Sequence, residues 1–221
     1  MPTLLRNTRQ HGLLTLVLAS ILWIAGCSPS ADSAGQDLLQ ALNASYEQAM
    51  RETQASAYRF VADEPAEQAA IARLQQFFTD MTPASARAQV AEVYAPNAYL
   101  NDTVVGIFGA DVIADYFAHA AGQAEVFNVV FVDVARGDVD YYIRWQMTVR
   151  AAALSNGEPI ISYGTTQFRF DEQGRVLIHK DFWDAATGVY EHLPYVGGVM
   201  AYIHRKLGGD AAALSFDSIE P

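Results

Sequence analysis

Apolar residues follow a helical period in the first half of the chain and a strand period in the second. Leu38, Leu39, Leu42, Tyr46 and Met50 recur at three- and four-residue steps and predict a helix within Asp37 to about Phe60. Pro65 opens a second helical pattern, with Ile71, Leu74, Phe77 and Phe78 on one face. Thr82-Pro83 reads as an N-cap followed by a first-turn proline. The helix it starts carries Val90, Val93 and Tyr94 and stops before Pro96. Gly109 precedes a fourth helix, with Val112, Ile113, Tyr116 and Phe117 facing inward, that ends near Gly122. The period then changes. Segments 126–134, 139–149, 160–170 and 176–182 are rich in β-branched and aromatic residues, and Arg136-Gly137-Asp138, Ser155-Asn156-Gly157 and Asp171-Glu172-Gln173-Gly174 separate them as turns. Four strands joined by short turns make an antiparallel meander. Helices first and strands second predict an α+β fold with the helices packed on one sheet face. The tail from Ala185 carries Pro194, Gly197 and Gly198, then a short helical pattern from Val199 to Leu207.

The start of the chain is different in kind. Residues 1–12 carry Arg6 and Arg9 and no acid, and residues 13–26 are almost wholly apolar. Such a run is too short for a bilayer core of about 30 Å and is sized for the apolar region of a signal peptide. It ends in Ile24-Ala25-Gly26-Cys27, which resembles the bacterial lipobox. That resemblance implies a signal peptide over 1–26, acylation of Cys27, and an exported protein held to the membrane through its N-terminal lipid. Ser28, rather than Asp, after the cysteine implies sorting to the outer membrane, facing the periplasm. Residues 27–36 are small and polar and read as a tether. Residues 37–66 form an N-terminal helical extension, 67–184 the main domain, and 185–221 a C-terminal extension. Cys27 is the single cysteine, so no disulfide forms within the chain.

Charge narrows the partners. Two of the 14 Lys and Arg and none of the 25 Asp and Glu lie in the first 26 residues, so the remainder carries 12 basic against 25 acidic residues, net −13. A surface that acidic excludes nucleic acid and electrostatic docking on anionic lipid.

The order of elements, together with three stretches, resembles the nuclear transport factor 2-like superfamily and its SnoaL-like branch. The stretches are Val93-Tyr94-Ala95-Pro96-Asn97-Ala98, Gly109-Ala110-Asp111-Val112-Ile113 with Tyr116-Phe117, and the run from Phe168 to Val176 followed by His179-Lys180-Asp181-Phe182-Trp183-Asp184. The resemblance covers about Ile71 to Asp184. It implies a cone in which a bent antiparallel sheet wraps around the helices and leaves a pocket at its open end. The superfamily includes isomerases, cyclases, epoxide hydrolases and non-catalytic binders, so the fold leaves the function open. Homodimers are common in it, although the sequence shows no interface signature.

Within that superfamily, four positions resemble the limonene-epoxide hydrolase subgroup. Tyr99-Leu100-Asn101 matches its Tyr-x-Asn element, Arg144-Trp145-Gln146 its Arg-x-Asp element with Gln in place of the acid, and Asp181 its final Asp. The resemblance implies Asp181 as base, Arg144 as its partner, and Tyr99 and Asn101 orienting water. The Gln at 146 removes a titratable group from one catalytic role. A second register resembles ketosteroid isomerases and makes Asp102 the base. The two registers exclude each other, because Tyr99 and Asn101 point to one face of a strand and Leu100 and Asp102 to the other. Parity also divides segment 139–149 into an apolar odd face and a polar even face bearing Arg144 and Gln146. If the even face lines the cone, both are pocket groups; if it meets water, the hydrolase set does not assemble. Gln146, Trp145, Trp183, Tyr163 and Phe168 are the expected pocket wall. His179 shares a strand face with Asp181. His119, His192 and His204 show no ligand spacing, so neither metal nor cofactor is expected. Two functions stay open: cofactor-free hydrolysis or isomerisation of a small hydrophobic molecule, or its non-catalytic binding, with a partner protein as the other ligand.

Overall fold

The computed structural model describes residues 31–193 and 196–208. The signal segment, Cys27 and the end of the C-terminal extension lie outside them. The chain divides between Ala41 and Leu42 into a short N-terminal unit and the main unit that begins at Leu42. Of the former, helical residues 31–41 are described. Helix α1 spans Ala31–Glu52. It therefore begins within the small, polar segment 27–36.

Three further helices follow the sequence punctuation closely. Helix α2 is Pro65–Phe78, opened by the proline whose missing N–H is not needed in a first turn. Helix α3, Pro83–Val93, starts in a reciprocal capping box: Thr82 accepts from the Ser85 N–H and the Ser85 side chain accepts from the Thr82 N–H. Strand β1, Tyr94–Asn101, continues directly from α3, and a short β2, Gly106–Phe108, pairs back on it. Gly109 adopts φ 97° before helix α4, Ala110–Gly122. That left-handed backbone is one glycine adopts without steric cost. Strands β3 (Val126–Arg136), β4 (Asp140–Arg150), β5 (Ile160–Phe170) and β6 (Val176–Trp183) complete the sheet. Helices α5, Ala185–Gly188, and α6, Val196–Gly208, end the described chain.

The fold is α+β. The sheet order is β2-β1-β6-β5-β4-β3. Strands β3 to β6 form the expected antiparallel meander, but β1 lies parallel to β6, so the sheet is mixed rather than antiparallel. The reason is topological. An even number of hairpins carries the chain from β1 back to its own neighbour in the same direction, and α4 supplies the crossover that parallel neighbours need.

One sheet face packs on α2, α3 and α4. Leu74, Phe77, Phe78, Val90, Ile113 and Phe117 meet Leu100, Ile143, Phe168 and Phe170 there. Parity now decides a question the sequence left open. On β4 the odd residues Tyr141, Ile143 and Trp145 are buried toward the helices, whereas Tyr142 and Arg144 are exposed. The polar face of this strand points away from the core. On the opposite sheet face, residues 42–52 of α1 cover Tyr99 and Ile178 through Ala49, Tyr46 and Met50. Arg169, buried to 1 % exposure, pins this contact: its Nε donates to Asp140 at 2.7 Å and its guanidinium also donates to the Met50 carbonyl and the Thr53 hydroxyl. Tyr46 donates to Gln167 at 2.6 Å.

Candidate functional site

A cavity of about 410 Å³ opens between α4 and the helix-facing side of the sheet. Phe127, Val129 and Phe131 of β3 and Asp102 just beyond β1 line the same space. Strands near opposite ends of the sheet order thus share one cavity, which requires the sheet to bend around it. The wall is mostly apolar and aromatic, with Trp145, Met147, Phe168 and Trp183 contributed by β4, β5 and β6.

Two carboxylates enter this apolar space. Asp181 comes from β6, where alternation turns it and His179 toward the helices and Lys180 away. Its Oδ1 takes two bonds: from the Thr166 hydroxyl, and with His179 Nε2 at 2.9 Å. Thr166 in turn accepts from the Trp145 indole N–H at 2.8 Å. His179 Nδ1 meets the Tyr94 hydroxyl at 2.8 Å. Burial, with the nearby Asp181 charge, holds the Tyr94 phenol well above its ordinary pKa, so it stays protonated. The carboxylate accepts from Nε2, and in the neutral tautomer that this bond selects, Nδ1 accepts the Tyr94 O–H. The result is a directed chain, Tyr94 to His179 to Asp181, joined by Trp145 to Thr166 to Asp181. All of it converges on Oδ1. Among the described residues no protein donor reaches Oδ2, which is left to the cavity.

Asp102 is the second acid. Its Oδ1 accepts the N–H groups of Val104 and Val105, each at 3.0 Å, and its Oδ2 accepts the Tyr116 O–H. The Trp183 indole donates to the Asp102 carbonyl at 3.0 Å. Burial, then the Asp102 charge, raises the Tyr116 pKa far above the ordinary phenol value. Tyr116 is therefore a permanent donor at this wall.

The residues singled out from the sequence separate into two places. Asp181, Asp102, Trp145, Trp183 and Phe168 line the cavity. Tyr99 and Asn101 are fully buried but lie on the opposite sheet face under α1, where Asn101 donates to Tyr99 and accepts from Lys180 at 2.8 Å, and Tyr99 bonds Ser45. Arg144 is exposed and sits beside Thr165 and Asp133 in the ladder. Gln146 and Tyr163 bond each other on the same outer face, and Tyr163 is 64 % exposed. The set Asp181, Arg144, Tyr99 and Asn101 does not meet in one cavity. The cause is strand parity: each of the three partners occupies a position whose side chain points opposite to Asp181. Sequence reasoning missed Tyr94, Thr166 and Tyr116. Two of these read as ordinary core residues, and Thr166 is given a role only by its ladder partner, Asp181. The signal that was available was the two-residue step from His179 to Asp181. Among the described residues, no three His, Cys, Asp or Glu side chains gather as a metal site would require.

No family model matches the chain, and no curated protein does. Solved structures resemble it at low identity. A protein with a ketosteroid isomerase-like fold from Catenulispora acidiphila DSM 44928, in complex with trimethylamine, is 15 % identical, with a TM-score of 0.48, over 57 % of this chain and 93 % of that one. An LEH-like epoxide hydrolase from M. tuberculosis is 13 % identical, with a TM-score of 0.46, over 62 % and 95 %. TsrD from Streptomyces laurentii is 14 % identical, with a TM-score of 0.49, over 61 % and 98 %.

Proposed function

We propose that the cavity binds a small, predominantly apolar molecule and that Asp181 moves a proton on it as a cofactor-free general base. The observation that carries this reading is the asymmetry of the Asp181 carboxylate. Oδ1 is fixed by His179 and Thr166, Oδ2 takes no protein donor among the described residues, and Asp181 lines a mostly apolar cavity. A base needs its reactive atom held in place but unengaged, within hydrogen-bond reach of the proton it takes. An apolar site around it strengthens each electrostatic contact that the reacting molecule makes.

Proton transfer on carbon fits the site better than epoxide opening by water. The groups that would orient water, Tyr99 and Asn101, lie on the other face of the sheet, and Arg144 is in solvent. An isomerisation needs only a base that takes a proton from one carbon and returns it to another. The Tyr116–Asp102 pair supplies the polar groups of the second wall. The fitting substrate class is a carbon acid such as a cyclic unsaturated ketone, largely apolar with one carbonyl.

The test is α-proton exchange in D₂O, followed by NMR over a panel of cyclic β,γ-unsaturated ketones. Asp181→Asn is expected to lower exchange by about 100-fold or more while leaving binding intact. Binding without exchange by the unaltered protein identifies a ligand carrier instead. Exchange that Asn at 181 leaves untouched removes Asp181 from the role. We further propose that acyl chains on Cys27 hold this domain at a membrane, as the N-terminal sequence suggests. No described helix is long and apolar enough to cross one.

A further inference from the structure

A second reactive pair stands beside the cavity, on loops that the proton-transfer reading does not use. Ser155 Oγ lies 2.7 Å from His192 Nδ1. His192 Nε2 lies 3.0 Å from the Thr187 carbonyl oxygen. The carbonyl can only accept, so Nε2 carries the hydrogen. In the neutral imidazole Nδ1 is then the lone-pair nitrogen and accepts the Ser155 O–H. Nucleophile, base and orienting group stand in the order that activates a serine, with a backbone carbonyl in the third position.

The serine is also held in an uncommon backbone conformation. Ser155 has φ 46° and Asn156 φ 54°, followed by Gly157 at φ 83°. Left-handed backbone costs a residue such as serine about 1–2 kcal/mol, while Asn and Gly adopt it more readily. The turn is closed by the Gly157 N–H on the Leu154 carbonyl at 2.8 Å and the Glu158 N–H on the Ser155 carbonyl at 3.0 Å. Among the described residues the N–H groups of Ser155 and Asn156 meet no acceptor. They are donors without a protein partner, on the serine and on the residue after it. Ser155 and His192 are both partly exposed, so a substrate reaches them from solvent. The neighbouring residues Ala153, Leu154 and Val189 line the apolar cavity. The pair therefore stands at the edge of a space suited to a hydrocarbon chain.

The geometry points to Ser155 as the nucleophile, and His192 as the base, of an esterase site that places the acyl chain of a carboxylic ester in the cavity. Oγ forms a bond to the ester carbonyl carbon as its proton passes to His192 Nδ1. The intermediate collapses, the bond to the alkoxide oxygen breaks, and His192 returns the proton to the leaving alcohol. Water then attacks the acyl-serine and gives a proton to His192. That proton goes back to Oγ as the carboxylic acid departs.

The test uses the full chain in two measurements. An alkyl fluorophosphonate probe, mapped by peptide mass spectrometry, is expected to label Ser155 in the unaltered protein; this needs no variant to fold. Hydrolysis of p-nitrophenyl octanoate is expected to fall by about 100-fold or more in Ser155→Ala and in His192→Gln. Label found on other residues or on none overturns the assignment, as does ester hydrolysis that Ser155→Ala leaves at its original rate.

Discussion

Thr166 shows how much of this site rests on a single atom. Its hydroxyl accepts from the Trp145 indole and donates to Asp181, so it positions the carboxylate without touching a substrate. Replacing it with Val keeps the volume, frees Asp181 Oδ1 from one tether and leaves a buried indole N–H without its acceptor. The expected outcome for Thr166→Val is a fall of about tenfold in proton exchange through lost orientation, with substrate binding changed little. Stability is expected to drop by about 1–3 kcal/mol from the unpaired donor. Thr166→Ser, which restores the hydroxyl, recovers the exchange rate if the role is positional. Denaturant unfolding and the NMR exchange assay read the two effects separately.

At the scale of elements, the cavity wall depends on a missing side chain. Gly164 of β5 lies opposite Trp145 of β4 and Trp183 of β6 in the ladder. A Cβ built there would stand 2.3 Å from the Trp145 ring and 2.8 Å from Trp183 Cβ. The two indoles, with centroids 6.1 Å apart, thus pack over bare backbone. Gly164→Ala is expected to push at least one ring into the cavity. The cost is about 1–3 kcal/mol of overpacking. Ligand affinity is expected to fall, and tryptophan fluorescence to shift as the rings move. Unchanged fluorescence and affinity would show that the strands part to admit the methyl group instead.

For the molecule as a whole, a buried carboxylate ties α2 to the β3–β4 hairpin. Glu67 accepts from Arg136 through both oxygens, at 2.8 Å each, from Tyr141 at 3.0 Å and from the Asp63 N–H at 2.8 Å. The Arg136 bonds hold its pKa at about 2, below the ordinary 4.5, despite burial that acts the other way. The folded-state value is depressed, so the contribution is complete above about pH 4.5 and is lost as pH falls through about 2. Glu67→Gln is expected to cost about 2 kcal/mol at neutral pH. It is also expected to flatten the dependence of stability on pH across that window, measured by urea unfolding at stepped pH. Membrane attachment is a property of the same scale. Cys27→Ala is expected to move the protein from the membrane fraction to the soluble one, and mass spectrometry of the unaltered N-terminus to show acyl chains on Cys27.

By itself the sequence determined the elements. Thr82-Pro83, Gly109 and the turns after Phe170 and Arg150 act on their immediate neighbours, so these boundaries were legible without contacts; the end of α3 was not, since it stops at Val93 and both Tyr94 and Pro96 lie in β1. The two-residue period likewise placed His179 and Asp181 on one face and Arg144 with Gln146 on another. Only the tertiary structure decided which of those faces looks inward, because direction is relative to a core that distant segments build. α1 claimed the outer face over Tyr99 and Asn101, and the helices took the apolar face of β4. That choice separated the four residues that local motif matching had joined, and it brought Tyr94 to His179, Thr166 to Asp181 and Tyr116 to Asp102. The parallel pairing of β1 with β6, and the meeting of Ser155 with His192, were undetermined for the same reason. A hydrogen bond between remote residues leaves no period or spacing in the sequence.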